Sequence, residues 1–197
     1  LSHQSLVNNS IPLTGGIFFL LPTIYLFLPG YFFFIIAYCI LFFLGLLSDL
    51  KIFESAKKRF LIQLLIILFF VFISRLEVTP TKIIFIDEII YNTYWSYFFT
   101  TFCLMILING SNFIDGLNGL FLGYFYLIIF ILFKLDLIYL INFSNTNFFY
   151  FIIVALFLLM LNFSNKLFLG DNGAYSLSFL LGFLLITFAI VFTPDTT

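Results

Sequence analysis

The chain has 197 residues, of which 63% are apolar and 9% charged, against about 25% charged in ordinary soluble domains. So few polar residues cannot coat a water-soluble fold of this size, which leaves lipid as the solvent. The net charge of −1 offers no basic face, so nucleic acid is excluded as a partner.

Apolar runs of roughly 15 to 20 residues recur along the chain, near the ~20 that a helix needs to cross a bilayer. In chain order they predict spans near residues 15–29, 31–47, 60–74, 96–109, 117–133, 148–162 and 175–193, with a turn at Pro29-Gly30. The stretch 135–147 reads either as an interfacial helix or as a continuation of the span before it. The expectation is an all-α, polytopic transmembrane helical protein of about seven spans, forming a single membrane-embedded domain over 1–197. The first sixteen residues carry no Lys or Arg, unlike a secretory signal peptide. Leu1 and the closing Thr193-Pro194-Asp195-Thr196-Thr197 read as cut, so a domain truncated at both ends is expected. Cys39 and Cys103 sit inside apolar runs and read as small hydrophobes, while the lone His3 excludes a multi-histidine metal site.

Orientation follows from the cations. Lys51, Lys57, Lys58 and Arg59 crowd the connection 48–59, which the positive-inside rule makes cytoplasmic. Alternation then puts 110–117 and 163–174, with Lys166, on the same side. Arg75, Lys82 and Lys134 fall in the outward connections, so the bias is five to three.

Three polar stations fall on that predicted cytoplasmic side. The first is Gly45-Leu46-Leu47-Ser48-Asp49-Leu50-Lys51, followed by Ser55-Ala56-Lys57-Lys58-Arg59 and Gln63. An acid followed by clustered cations suits phosphate and metal chemistry, because cations grip phosphate oxygens and the acid holds a cation or orients a nucleophile. Positive-inside anchors with a capping Asp account for the same pattern. In the second, Asn109, Asn112, Asp115 and Asn118 recur every third residue, and Gly116 and Gly119 follow Asp115. On a helix these polar side chains share a drifting stripe, and their oxygens are the donors a hard cation accepts. A cap and turn between two spans is the alternative. The third station is Asn162-Phe163, then Phe168-Leu169-Gly170-Asp171-Asn172-Gly173. Here Asp171 is expected just ahead of the last span, where a helix N-terminus favours anions; a simple N-cap is the alternative.

Together the stations resemble the polyprenyl-phosphate N-acetylhexosamine-1-phosphate transferase family, glycosyl transferase family 4. The second is similar to its Asn-x-x-Asn-x-x-Asp-Gly-x-Asp/Asn-Gly-Leu segment, and 168–173 to its Phe-Met-Gly-Asp-x-Gly. Pro12-Leu13-Thr14-Gly15-Gly16-Ile17 resembles its Pro-x-Thr-Gly-Gly-Ile. The resemblance implies a bacterial inner-membrane enzyme working at the cytoplasmic face. It would join a UDP-sugar to a polyprenyl (undecaprenyl) phosphate with Mg2+, Mn2+ being possible, and release UMP, an early membrane step of cell-envelope polysaccharide synthesis. It further implies catalytic roles for Asp49 and Asp115 and metal contacts from Asn112 and Asp171. Substrate contacts fall to Thr14, Lys57, Arg59, Asn109, Asn118, Asn162 and Phe168, the last stacking on uracil. Two departures stand out. Ser48 occupies the place of the first acid of the family's Asp-Asp pair, and the family's late His-containing loop has no counterpart here. The alternatives are a membrane transporter and a non-catalytic relative of the family.

Overall fold

A computed structural model describes residues 12–27, 30–78, 80–115, 119–135 and 145–192. Eight helices follow one another: α1 (Ile17–Phe27), α2 (Phe32–Asp49), α3 (Ala56–Ser74), α4 (Ile84–Ile90), α5 (Thr93–Asp115), α6 (Leu120–Lys134), α7 (Asn145–Phe163) and α8 (Gly170–Phe192). There is no strand among the described residues. Each of the seven expected spans contains a helix. By length and composition α2, α5 and α8 can each cross a membrane, while α1, α6 and the 149–163 part of α7 are apolar but shorter. The 19-residue α3 opens on Lys57, Lys58 and Arg59.

Three of the differences from the expected spans share one physical reason. α2 runs on to Asp49, α5 to Asp115 rather than 109, and α8 begins at Gly170 rather than 175. Polar residues end an apolar run at the membrane boundary, but a helix whose backbone groups find partners continues past it. The short α4 was not expected; its seven residues are too few to show a period. Asp87 in its first turn accepts from the Thr81 N–H at 2.7 Å and hydroxyl at 2.9 Å, tying it to the preceding loop. Most of the ambiguous stretch 135–147 lies outside the described residues.

α8 is the hub: 72% of its apolar window is buried, against 44% for α2 and 33% for α5, and it packs mainly on those two helices. Lipid gives apolar side chains no hydrophobic drive to associate, so close fit and hydrogen bonds must hold the helices together. At depth the fit is aromatic. Phe34 of α2 stacks on Phe183 and Phe179 of α8 at 4.4 and 5.3 Å between centroids, with Phe70 of α3 edge-on to Phe179 at 5.1 Å. Nearer the start of α8 the fit is backbone to backbone. A Cβ on Gly45 would overlap the Asn172 backbone, and one on Gly16 would overlap Gly173. The outward faces carry Leu61, Leu65, Phe69 and Phe72 on α3 and Phe98, Phe102 and Ile106 on α5, at the three- and four-residue spacing of one helical face and exposed to lipid.

Gly45→Ala is expected to lower the thermal unfolding midpoint in detergent, by the equivalent of about 1–3 kcal/mol, because the Asn172 backbone cannot rotate away. Gly110→Ala, where an added Cβ meets nothing within 4 Å, should leave the midpoint unchanged or raise it. Equal losses in both would remove the close-approach account.

Candidate active site

The start of α8 collects the distant stations. Gly170 takes φ +77°, a left-handed turn that lets the backbone swing into the helix. The first N–H groups of a helix have no partner inside it, and here an acid from another helix supplies one. Asp49, the last residue of α2, accepts from the Asp171 N–H at 2.9 Å, the Asn172 N–H at 3.0 Å and the Asn172 side-chain amide at 2.6 Å. Thus Asp49 caps α8, and Asp171 lies within the first turn rather than ahead of it. The Asn172 amide also donates to the Leu13 carbonyl at 2.7 Å. That fastens the 12–16 segment, whose backbone pairs with 168–169: Gly15 N–H to Phe168 O at 3.1 Å, Gly16 N–H to Leu169 O at 3.2 Å and Phe168 N–H to Pro12 O at 3.1 Å.

Asp171 draws in the neighbouring elements. Its Oδ2 accepts from the Ser48 hydroxyl at 2.5 Å, from Arg59 Nη1 at 2.8 Å and from the Tyr175 hydroxyl at 3.3 Å. Arg59 also donates to the Ser48 hydroxyl. Lys51 adopts left-handed backbone (φ 58°) in the turn that reverses the chain, and α3 then brings Arg59 back over α8. Asp115, at the end of α5, is 9% exposed and lies against the Gly170 backbone, within electrostatic reach of both Asp171 and Asp49. Three carboxylates therefore share one end of the bundle, and among the described residues Arg59 is the cation paired with one of them, Asp171.

The other expected site residues fall as follows. Thr14 is half-buried in the segment paired to Phe168, and Phe168 is itself buried, 5% exposed. Asn112 is half-buried one turn before Asp115. Asn109 turns its amide back to the Met105 carbonyl at 2.9 Å. Lys57 is exposed and pairs with none of the three acids among the described residues. Asn162, at the end of α7, is 1% exposed, and its side-chain oxygen has no hydrogen-bond partner among the described residues. Asn118 lies outside the described residues. Sequence reasoning gave no role to Asn172, which ties Asp49 to Leu13, nor to Tyr175. The signal for Tyr175 was its place one helical turn from Asp171, where residues four apart share a face.

The fold and this acidic helix-end cluster define a multi-pass helical membrane protein with a polar site at one end of its bundle. The sequence profile of glycosyl transferase family 4 matches residues 31–189, and the chain belongs to that family, whose membrane enzymes transfer a sugar phosphate to a lipid carrier. The match runs from the start of α2 into the last turns of α8 and so takes in Ser48, Asp49, Arg59, Asp115 and Asp171. No curated protein and no solved structure gives a significant match.

Asp49→Ala strips the acceptor from two helix-end N–H groups and one side-chain amide. It is expected to lower stability by about 1–2 kcal/mol or more, the range for a lost helix cap. Lys57→Ala, at an exposed position, should stay within about 0.5 kcal/mol of the parent. Thermal unfolding of both variants in the same detergent checks the difference.

Proposed function

We propose that this protein transfers a sugar-1-phosphate, of N-acetylhexosamine type, from a UDP-sugar to a polyprenyl phosphate at the cytoplasmic face of a bacterial inner membrane. A phosphate oxygen of the lipid attacks the sugar-bearing phosphorus of the diphosphate. The new P–O bond forms as the bond to the bridging oxygen breaks, and UMP leaves with that electron pair. One observation carries the reading. Asp49, Asp115 and Asp171, from three distant segments of a family member, meet at one end of the bundle with Arg59 between α3 and α8.

Among the described residues no group of three or more His, Cys, Asp or Glu side chains forms a ready cage for a metal ion. Mg2+ does not require one, because it is commonly held by one or two carboxylates together with substrate phosphate oxygens. The oxygens of Asp171, Asp115 and Asn112 are donors of that kind, with Mn2+ the alternative ion. Three acids against one guanidinium also leave negative charge for a cation to offset. When bound, the ion would lower the repulsion between two phosphate groups and stabilise departing UMP, by several kcal/mol in general.

The chain's own residues divide the remaining work. A phosphate monoester is already largely ionised near pH 7, its second pKa being about 6, so no strong base is needed. Asp49, with both carboxylate oxygens engaged by α8, acts by holding that helix end and orienting what binds there. Arg59 is placed to give a charge-assisted bond to a phosphate oxygen, and Lys57 and Lys58 supply cations on the neighbouring turn. Ser48 retains a donor toward Asp171 where the family's pattern has an acid, so the cluster keeps its connection with one charge fewer.

In membrane-reconstituted protein, Asp171→Asn and Asp115→Asn are each expected to cut Mg2+-dependent UMP release by on the order of 10²-fold or more. Near-normal rates in both variants would overturn the assignment of these acids.

A further inference from the structure

The bonds to Asp171 are lopsided. Oδ2 takes all three donors, from Ser48, Arg59 and Tyr175, and no hydrogen bond reaches Oδ1 among the described residues. Behind this oxygen the cluster continues away from the bundle end. Tyr175 stands four residues beyond Asp171 on α8 and is 2% exposed; Gln63 stands four residues beyond Arg59 on α3 and is 1% exposed. Two pairs therefore face each other between the helices, Arg59 with Asp171 and, one turn deeper, Gln63 with Tyr175. The Gln63 amide is near enough to the Tyr175 hydroxyl to interact with it electrostatically. Neither its amide nitrogen nor its oxygen completes a hydrogen bond of full geometry among the described residues.

An amide buried and unpaired at membrane depth costs stability that a leucine of similar size would not. Packing therefore gives no reason for a glutamine at position 63. The residue does have a use in orienting protons. A tyrosine hydroxyl both donates and accepts, and an amide N–H directed at its oxygen leaves its own proton to point elsewhere. Here the other partner is Asp171 Oδ2.

We propose that Gln63 and Tyr175 are positioning residues for the cation site. Gln63 donates to the Tyr175 hydroxyl, Tyr175 donates to Asp171 Oδ2, and with Ser48 and Arg59 they fix the carboxylate so that Oδ1 is the oxygen left for a divalent cation. The proposal rests on the reading above that Asp171 holds such a cation. Groups that orient a metal-binding carboxylate typically change metal affinity 10- to 100-fold when removed.

The test is direct Mn2+ binding to the purified protein in detergent, read by water-proton relaxation enhancement, alongside the thermal midpoint. Tyr175→Phe keeps the ring and removes the hydroxyl; Gln63→Leu keeps the volume and removes the amide. Both are expected to weaken Mn2+ binding about 10-fold, while Gln63→Leu holds or raises the midpoint. Opposite movements in affinity and stability are what a merely structural role would not give. Wild-type Mn2+ affinity in both variants, with binding lost in Asp171→Asn, would overturn the proposal alone. If wild type binds Mn2+ no better than Asp171→Asn, the cation reading fails and this proposal fails with it.

Discussion

The N–H groups of Asp171 and Asn172 begin a helix and have no acceptor within it, and they sit at the boundary between lipid and water. Left unpaired and buried they would cost about 1–3 kcal/mol each. The carboxylate of Asp49 meets both, and a third bond from the Asn172 amide closes the arrangement. This contact joins the end of α2 to the start of α8, elements 121 residues apart at Asp49 and Gly170, and it allows α8 to extend beyond its apolar run. Because α8 extends, Asp171 lies in a fixed helical turn, where Ser48, Arg59 and Tyr175 can reach it. The Pro12-to-Gly16 segment is held by the same asparagine.

Charge placement at this end of the bundle runs against the helix dipoles. The start of α8 carries the positive end of a helix dipole, which favours nearby anions, each by about 0.3–1 kcal/mol at exposed sites. The ends of α2 and α5 carry negative ends, yet Asp49 and Asp115 sit there. Arg59 lies in the first turn of α3, where a cation is at the unfavourable end of its own helix. These placements make little sense as stabilisation of the helices that carry the residues. They make sense if the acids and the guanidinium are held for one another and for a cation and phosphates that arrive later. The Ser48 hydroxyl meets Asp171 through a hydrogen bond and adds no charge of its own to the cluster.

Much of the fold was legible because the membrane restricts the choices. Seven apolar runs became seven helices, and every underestimated boundary at Asp49, Asp115 and Gly170 failed in the same direction, where polar residues mark the membrane surface but not the helix end. The stations at 45–51, 109–118 and 168–173 were visible as residue types; their chemical roles are a matter for the proposal above. What sequence could not show was which acid serves which backbone. Asp171 reads as a natural N-cap, but Asp49 does that work from another helix. Gln63 was visible as the tail of the first station and Tyr175 lies one turn from Asp171, but nothing local to either says that the two face each other between α3 and α8. Asn109, part of the three-residue stripe, spends its amide on its own helix. Spacing gives the face a residue occupies, not its partner.

The two halves of α8 divide the mechanical roles. Away from the site, Phe34, Phe70, Phe179 and Phe183 lock α2, α3 and α8 through ring contacts that tolerate little displacement. Toward the site, side-chain volume gives way to glycine contacts and hydrogen bonds. Ser176 and Ser178 direct their hydroxyls to the Asn172 and Ala174 carbonyls and so stay satisfied within the helix. A rigid aromatic frame beneath a hydrogen-bonded helix end fixes the position of Asp171 along the bundle axis. That combination suits a family that transfers a sugar phosphate to a lipid carrier. The backbone bonds that fix the start of α8 run through Asp49 and Asn172, so they are independent of the side-chain bonds that Arg59 and Ser48 make to Asp171.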